Sequence, residues 1–172
     1  MSDQTYVTKD PRGPVTQLAT PMRLDYLFTA GLSLSRNLRG YQRAEFVGQK
    51  CPVCGKVYVP SRGSCPVDGV ALTEEVPLKN TGTVTTYCVV NVPFAGQSIK
   101  IPYICAQILL DGANLSFMGL IQECDVEDIH MGMRVEALWV DEADLVPSLA
   151  SVKYFRPTGE PDADYETYRE YL

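Results

Sequence analysis

The chain has 172 residues, 45% of them hydrophobic, 21% charged and 9% aromatic, the make-up of a soluble globular protein of one domain or of a small module plus one. Fifteen Lys and Arg against 21 Asp and Glu leave a formal charge of -6, so the chain as a whole repels a phosphate backbone and any nucleic-acid role needs a local basic patch. A single histidine, His130, argues against acid–base and metal-hydrolase sites built on two or more imidazoles, and the sequence carries no Gly-rich phosphate loop, Ser-His-Asp set or HExxH pattern. The opening MSDQTYVTKDPRG has no apolar h-region, and no stretch approaches the roughly 18 apolar residues of a membrane span, so the expectation is a cytoplasmic protein without a membrane partner.

Residues 1–21, with three prolines and no periodicity, are expected to form an extended arm without a core of its own. Across 22–46 an amphipathic helical segment follows. Leu24, Leu27, Phe28, Leu34 and Leu38 recur near helical spacing from Met22 to Arg43, with a break expected near Gly31 or Ser33.

Residues 47–78 contain QKCPVCGKVYVPSRGSCPVDGV, two knuckles of related form, CPVCG and CPVDG. A two-residue gap turns the backbone so that both flanking side chains face one ion, and the glycine after the second ligand supplies the permissive backbone of the turn. Cys51, Cys54 and Cys65 are therefore read as metal ligands, with Asp68 standing where a fourth cysteine would be expected. Aspartate is a legitimate Zn2+ ligand, and three thiolates with one carboxylate leave a closed centre of charge about -2 and no open position for water. Such a site is structural, not hydrolytic. Cys88, Cys105 and Cys124 are scattered singly and read as buried, inert thiols.

From 79 to 158 the pattern changes to alternating, β-branched runs. Five strands are expected, at Gly82–Val92, Tyr103–Leu110, Leu115–Ile121, Met133–Val140 and Ser151–Arg156, with a hairpin turn at Asp111-Gly112-Ala113-Asn114. ECDVEDIHMG between the third and fourth strands suits a turn or one short helical crossover. Five strands with that break fit a small OB-type Greek-key barrel, which makes the fold mainly β. The tail, 159–172, carries five acids and tyrosines at 165, 168 and 171, a spacing that could give a short helix with one aromatic, interface-forming face. Charge is polarised along the chain: residues 36–62 hold six bases against Glu45 alone, while 111–172 hold fourteen acids against four bases. The basic stretch could meet a phosphate-bearing ligand such as coenzyme A or an acidic protein surface, or simply be a solvated face.

Taken together, CPVCGKVY at 51–58, Gly82-Thr83-Val84 and Met131-Gly-Met-Arg-Val135 make the chain from about Arg23 to Val140 resemble a family of accessory proteins long called a domain of unknown function. These proteins join a rubredoxin-like zinc ribbon to an OB-fold and are encoded beside thiolases, hydroxymethylglutaryl-CoA synthases and lipid-transfer-type thiolase homologues. Members look like the small subunit of benzoylsuccinyl-CoA thiolase and the domain serving steroid side-chain aldolases. The resemblance implies a companion subunit that contributes no catalytic residue, docks on a thiolase-fold catalytic subunit, commonly two plus two, and supports C–C cleavage of an acyl-CoA by thiolase or retro-aldol chemistry. It carries over Cys51, Cys54 and Cys65 as ligands of a structural Zn2+, whereas Asp68 departs from the four-cysteine pattern. Lys50, Lys56 and Arg62, beside the ribbon, become candidates to meet the CoA phosphates or the partner's rim. The alternative is a single-stranded nucleic-acid binder, since ribbons and OB barrels both serve that role, and the net charge argues against it.

Overall fold

The computed structural model describes residues 12–14, 24–94 and 96–172. Most of the expected 1–21 arm lies outside the described residues. Helix α1 spans Gly31–Tyr41, a later start than the apolar periodicity from Met22 suggested. Gly31 sits at φ +71, and no side chain caps the N-terminus, so helical backbone does not run back through Leu24–Phe28. That run is left in solvent, Leu27 at 102% exposure. What α1 buries is Asn37, Gly40 and Tyr41, not a leucine stripe. Gly40 permits the helix to approach the next strand closely, since a Cβ there would lie 2.8 Å from the Glu45 carbonyl oxygen and 2.9 Å from Val47 Cγ2.

Three short antiparallel strands follow, β1 (Phe46–Lys50), β2 (Val57–Tyr58) and β3 (Glu74–Leu78), in the order β2-β1-β3. Arg36 on α1 reaches Glu75 on β3 at 3.1 Å, fastening the helix across this sheet. The remaining strands are β4 (Thr81–Val90), β5 (Tyr103–Leu110), β6 (Phe117–Ile121), β7 (Arg134–Trp139) and β8 (Val152–Pro157). They close into a barrel of order β4-β5-β6-β8-β7, with β6 and β8 parallel and the other pairs antiparallel. This is the five-stranded Greek-key barrel of the OB type. On β5 the two-residue alternation is plain: Ile104, Ala106 and Ile108 are buried while Tyr103, Cys105 and Gln107 are half-exposed. A bulge between Val84 and Thr86 shifts the register of β4 against β5, as barrel closure commonly requires. The connection between β6 and β7 is made of turns and bends, with no helix.

Phe46 and Val59 join the barrel core, while Cys51, Tyr58, Cys65 and Leu72 form a second, smaller cluster in the ribbon. Phe46, the first residue of β1, is fully buried, and its ring lies 4.8 Å from Trp139, 5.8 Å from Phe117, 6.0 Å from Tyr41 and 6.1 Å from Phe155. Such ring pairs add about 0.5–1.5 kcal/mol each beyond the area they bury. The tail differs from the expected helix with an outward aromatic face. It forms two separate 3-10 turns, Tyr165–Thr167 and Arg169–Tyr171, and Tyr168 between them is only 5% exposed and joins the barrel core. The acidic side chains beside it are mostly exposed, and Ala163 and Tyr171 pack against the same core, so Tyr168 is the most buried of three anchors in an otherwise polar segment.

Candidate metal centre

Each knuckle is built by the same two backbone hydrogen bonds. The Cys51 N–H donates to the Lys56 carbonyl at 2.8 Å and the Gly55 N–H to the Cys51 carbonyl at 3.0 Å; the Cys65 N–H donates to the Val70 carbonyl at 2.8 Å and the Gly69 N–H to the Cys65 carbonyl at 2.9 Å. Gly55 at φ +73 and Gly69 at φ +68 close the two turns in a backbone region that favours glycine. The repeated CPVxG pattern thus becomes a repeated geometry, and the knuckles face each other.

The ligand atoms of Cys51, Cys54, Cys65 and Asp68 all lie within 4.8 Å of one another. Cys54 Sγ and Cys65 Sγ are 3.7 Å apart, while Asp68 Oδ2 lies 3.2 Å from Cys51 Sγ and 3.3 Å from Cys65 Sγ. A tetrahedron with Zn–S bonds of about 2.3 Å has S···S edges of about 3.8 Å, so the sulfur pair already has the spacing of a zinc site. Backbone N–H groups also point at the sulfurs, Val53 to Cys51 at 3.4 Å and Asp68 to Cys65 at 3.5 Å, and Tyr58 Oη lies 3.5 Å from Cys65 Sγ. Donors aimed at sulfur stabilise its thiolate form, the form that binds metal.

Among the protein groups alone, three thiols converge on one carboxylate. Hydrogen bonds from Cys54, Cys51 and Cys65 hold Asp68 below its ordinary value, and the same carboxylate pushes Cys54 up to about 12. At Cys65, burial opposes ionisation but hydrogen bonds from Tyr58 and from the Asp68 and Val67 N–H groups outweigh it, and its pKa falls. The Tyr58 hydroxyl is raised in turn, chiefly by its bond to Cys65. A divalent cation would replace the thiol protons and neutralise the crowding of negative charge. The donor set fits Zn2+: three soft thiolates and one hard oxygen, the four protein ligands of a closed structural site. Cys51 and Cys65 are buried, Asp68 is half-buried and Cys54 is exposed, and Val53 and Val67 project from the two knuckle tips at 66% and 65% exposure.

The basic residues beside the centre are not gathered into one pocket. Lys50 on β1 faces Glu74 on β3 at 3.8 Å, and Lys56 and Arg62 are exposed on the two connections that follow Cys54. Of the cysteines expected to be buried and inert, Cys88 is exposed and Cys105 and Cys124 are half-buried. The β-register that puts Cys88 and Cys105 on one outer face cannot be assigned residue by residue from composition, and Cys124 lies in the connection between β6 and β7.

Two family models match the chain, the ChsH2 rubredoxin-like zinc ribbon domain over residues 42–73 and the ChsH2 C-terminal OB-fold domain over residues 75–140. A "DUF35 domain-containing scaffold protein" of Methanocaldococcus jannaschii is 39% identical over 100 residues, 57% of this chain and 70% of that protein. The chain belongs to the DUF35 family. A second DUF35 domain-containing scaffold protein, from Methanothermobacter thermautotrophicus, is 33% identical over 100 residues, 57% of this chain and 74% of the relative. Among solved structures, a chain of the "Ltp2-ChsH2(DUF35) aldolase" superposes with a TM-score of 0.57 at 22% identity, covering 73% of this DUF35 chain and 94% of that one. A DUF35 protein of unknown function from Sulfolobus solfataricus superposes with a TM-score of 0.56 at 18% identity, covering 74% and 84%. At these identities the structures report the fold.

The Met131-Gly-Met-Arg-Val135 stretch acquires a physical role in this DUF35 chain. Arg134 grips Asp111 with two hydrogen bonds, Nη1 to Oδ1 at 2.8 Å and Nη2 to Oδ2 at 2.6 Å, and Nη1 also donates to Thr83 Oγ1 at 2.8 Å. Gly132, at φ +93, turns the chain into β7 immediately before it. The motif therefore locks the start of β7 to the β5–β6 turn and serves the barrel rather than the metal centre.

Proposed function

We propose that this DUF35 chain is a zinc-binding accessory subunit without catalytic residues of its own, which docks on a thiolase-fold acyl-CoA enzyme in the cytoplasm and supports C–C cleavage by thiolase or retro-aldol chemistry. One observation carries the docking: within residues 24–32 the large apolar side chains Leu24, Tyr26, Leu27, Phe28 and Leu32 are all exposed. Isolated apolar residues on a surface are ordinary, whereas five in nine positions, four ahead of α1 and Leu32 in its first turn, mark a surface made to be covered. The scaffold description of the relatives and the aldolase complex in which the structural neighbour occurs both support a protein partner.

In this reading Cys51, Cys54, Cys65 and Asp68 hold a structural Zn2+. The ion supplies a cross-link between two knuckles whose apolar content is too small to fold alone. Lys50, Lys56 and Arg62 meet the CoA phosphates or the rim of the catalytic subunit, and the complex is a heterotetramer of two plus two. Chemistry on the acyl-CoA takes place on the partner, because Claisen and aldol cleavage need a nucleophile or base matched to the substrate, and in this reading the thiols and the carboxylate of the centre are committed to Zn2+.

The test is to co-express the chain with the thiolase-like protein encoded beside it, purify through a tag on this chain alone, and assay zinc and acyl-CoA cleavage. Stoichiometric co-purification, with activity absent from either chain alone, is the expected result. A zinc-loaded protein that captures no such partner, and retains a single-stranded oligonucleotide at low salt with steep release as salt rises, would replace it with the nucleic-acid reading.

A further inference from the structure

Cys88 on β4 and Cys105 on β5 stand directly opposite each other in the antiparallel register, flanked by the pairs Tyr87–Ala106 and Val89–Ile104. Opposed residues of an antiparallel ladder point to the same face with Cα atoms about 4.5–5.5 Å apart. That spacing falls inside the range of about 4.4–6.8 Å that a disulfide spans. The pair lies on the outer surface of the barrel, Cys88 exposed and Cys105 half-buried, and is independent of the three ribbon cysteines. Ladder pairing on both sides holds the thiols in register, so their meeting requires no loop rearrangement.

From this geometry we infer that Cys88 and Cys105 form a reversible cross-strand disulfide, a redox modification site on the barrel. The oxidant is a small disulfide of the glutathione type. The Cys88 thiolate attacks one sulfur of that disulfide, expels one glutathione thiolate and forms a mixed disulfide. The Cys105 thiolate then attacks Cys88 Sγ, forms the internal S–S bond and releases the second glutathione thiolate. The two protein thiols lose two electrons and two protons, and one glutathione disulfide becomes two glutathione thiols. Exposure makes Cys88 the first nucleophile, while burial, and then the neighbouring Cys88, push the Cys105 thiol up.

The bridge has a structural consequence. It ties together the two ends of the β4–β5 connection, which displays Val92 and Phe94 at 74% and 59% exposure. Oxidation would hold the base of that apolar connection fixed, and reduction would leave it held by the ladder alone.

The experiment equilibrates the zinc-loaded full chain in glutathione redox buffers of increasing oxidised fraction, followed by alkylation and peptide mapping. Wild type is expected to lose two hydrogens in mass, with Cys88 and Cys105 in one linked fragment and zinc retained. Cys124→Ser should form the same link, whereas Cys105→Ser should stop at a glutathione adduct on Cys88. Accumulation of that adduct in wild type without the internal link, or a link from Cys88 to Cys124 or to a ribbon cysteine, overturns the inference.

Discussion

Asn114 grips Val57 at both of its backbone polar groups. The Asn114 N–H donates to the Val57 carbonyl at 2.7 Å, and its side-chain Oδ1 accepts from the Val57 N–H at 2.8 Å. A turn of the barrel thereby completes the ladder of β2 in the ribbon, and Asn114 Nδ2 continues the chain to Tyr171 Oη at 2.7 Å in the tail. Asn114→Ala strands a Val57 N–H that is nearly out of water and removes the bond to Tyr171, so a loss of about 2 kcal/mol is expected in urea unfolding. Asn114→Asp keeps the acceptor and should lose less. An alanine variant as stable as wild type would show that the ribbon and barrel do not depend on this clasp.

The sequence disclosed what repeats locally and concealed what is assembled over distance. Two CPVxG units announce two knuckles because spacing and glycine alone determine the turn. The five strands are legible because alternation is a local property. Phe46 and Asn114 were not: one sits at the start of a ribbon strand and the other in a polar turn, and only the closed barrel brings them to Trp139 and Val57. The leucine periodicity misled for a related reason. Helical spacing runs from Leu24 onward, but at the expected break Gly31 takes left-handed backbone and α1 begins only there, so Leu24–Phe28 stay outside it, and the face that α1 buries is set by the close approach at Gly40. The tail misled because tyrosines at every third residue suit a helix, while distant partners hold it in place: Tyr168 is buried in the barrel core, Tyr171 accepts from Asn114 and the Ala163 N–H donates to the Gly132 carbonyl.

Arg134 and Asp111 should make barrel stability acid-sensitive. The Arg134 guanidinium, by its hydrogen bonds first, holds the Asp111 carboxyl below its ordinary value. A carboxyl lowered by folding contributes stability that is present above its unfolded value of about 3.9 and lost as pH falls through the lower folded one. Arg134→Met leaves the half-buried carboxylate with the Thr81 hydroxyl and the more distant charge of Lys79 and should cost about 2 kcal/mol at neutral pH, with less loss on further acidification than wild type shows. Parallel acid-unfolding curves for the two proteins would contradict this.

At the metal centre, Asp68 is the hard ligand among soft ones. Asp68→Cys supplies a fourth thiolate and should lower the zinc dissociation constant by about tenfold or more, a gain of at least about 1.4 kcal/mol, read by competition with a chromogenic chelator. Cys51→Ser removes a buried ligand and should leave the ribbon unfolded, seen as loss of amide dispersion for residues 47–78. A folded Cys51→Ser ribbon that needs no metal would remove the structural role.

Truncation before Glu160 tests the tail as part of the barrel. It strips Tyr168 from the core, so the shortened chain should unfold at lower urea, and Tyr168→Ala alone should cost about 3 kcal/mol. Tyr165→Ala, at a half-exposed position, should cost far less. If Tyr165→Ala and Tyr168→Ala proved equally mild, the tail would be a surface segment after all.

His130 links the same tail to the turns before β7 in a pH-dependent way. Its Nδ1 lies 2.7 Å from the Asp128 carbonyl oxygen, and its Nε2 lies 2.9 and 3.0 Å from the two Asp162 carboxylate oxygens. Both ring nitrogens thus face acceptors, and only the imidazolium carries an N–H on each. The bond to Asp162 first, then that to the Asp128 carbonyl, raises the His130 pKa above 6.5. A histidine raised by folding contributes stability that is full below its unfolded value and lost as pH rises through the folded one. The imidazole proton resonances of His130 should therefore titrate with a midpoint above about 6.5, and Asp162→Asn should bring the midpoint down toward that value. Because both side chains are about half exposed, the accompanying change in unfolding free energy should be small and should shrink with added salt. A midpoint identical in wild type and Asp162→Asn would mean that the tail does not hold this ring in solution.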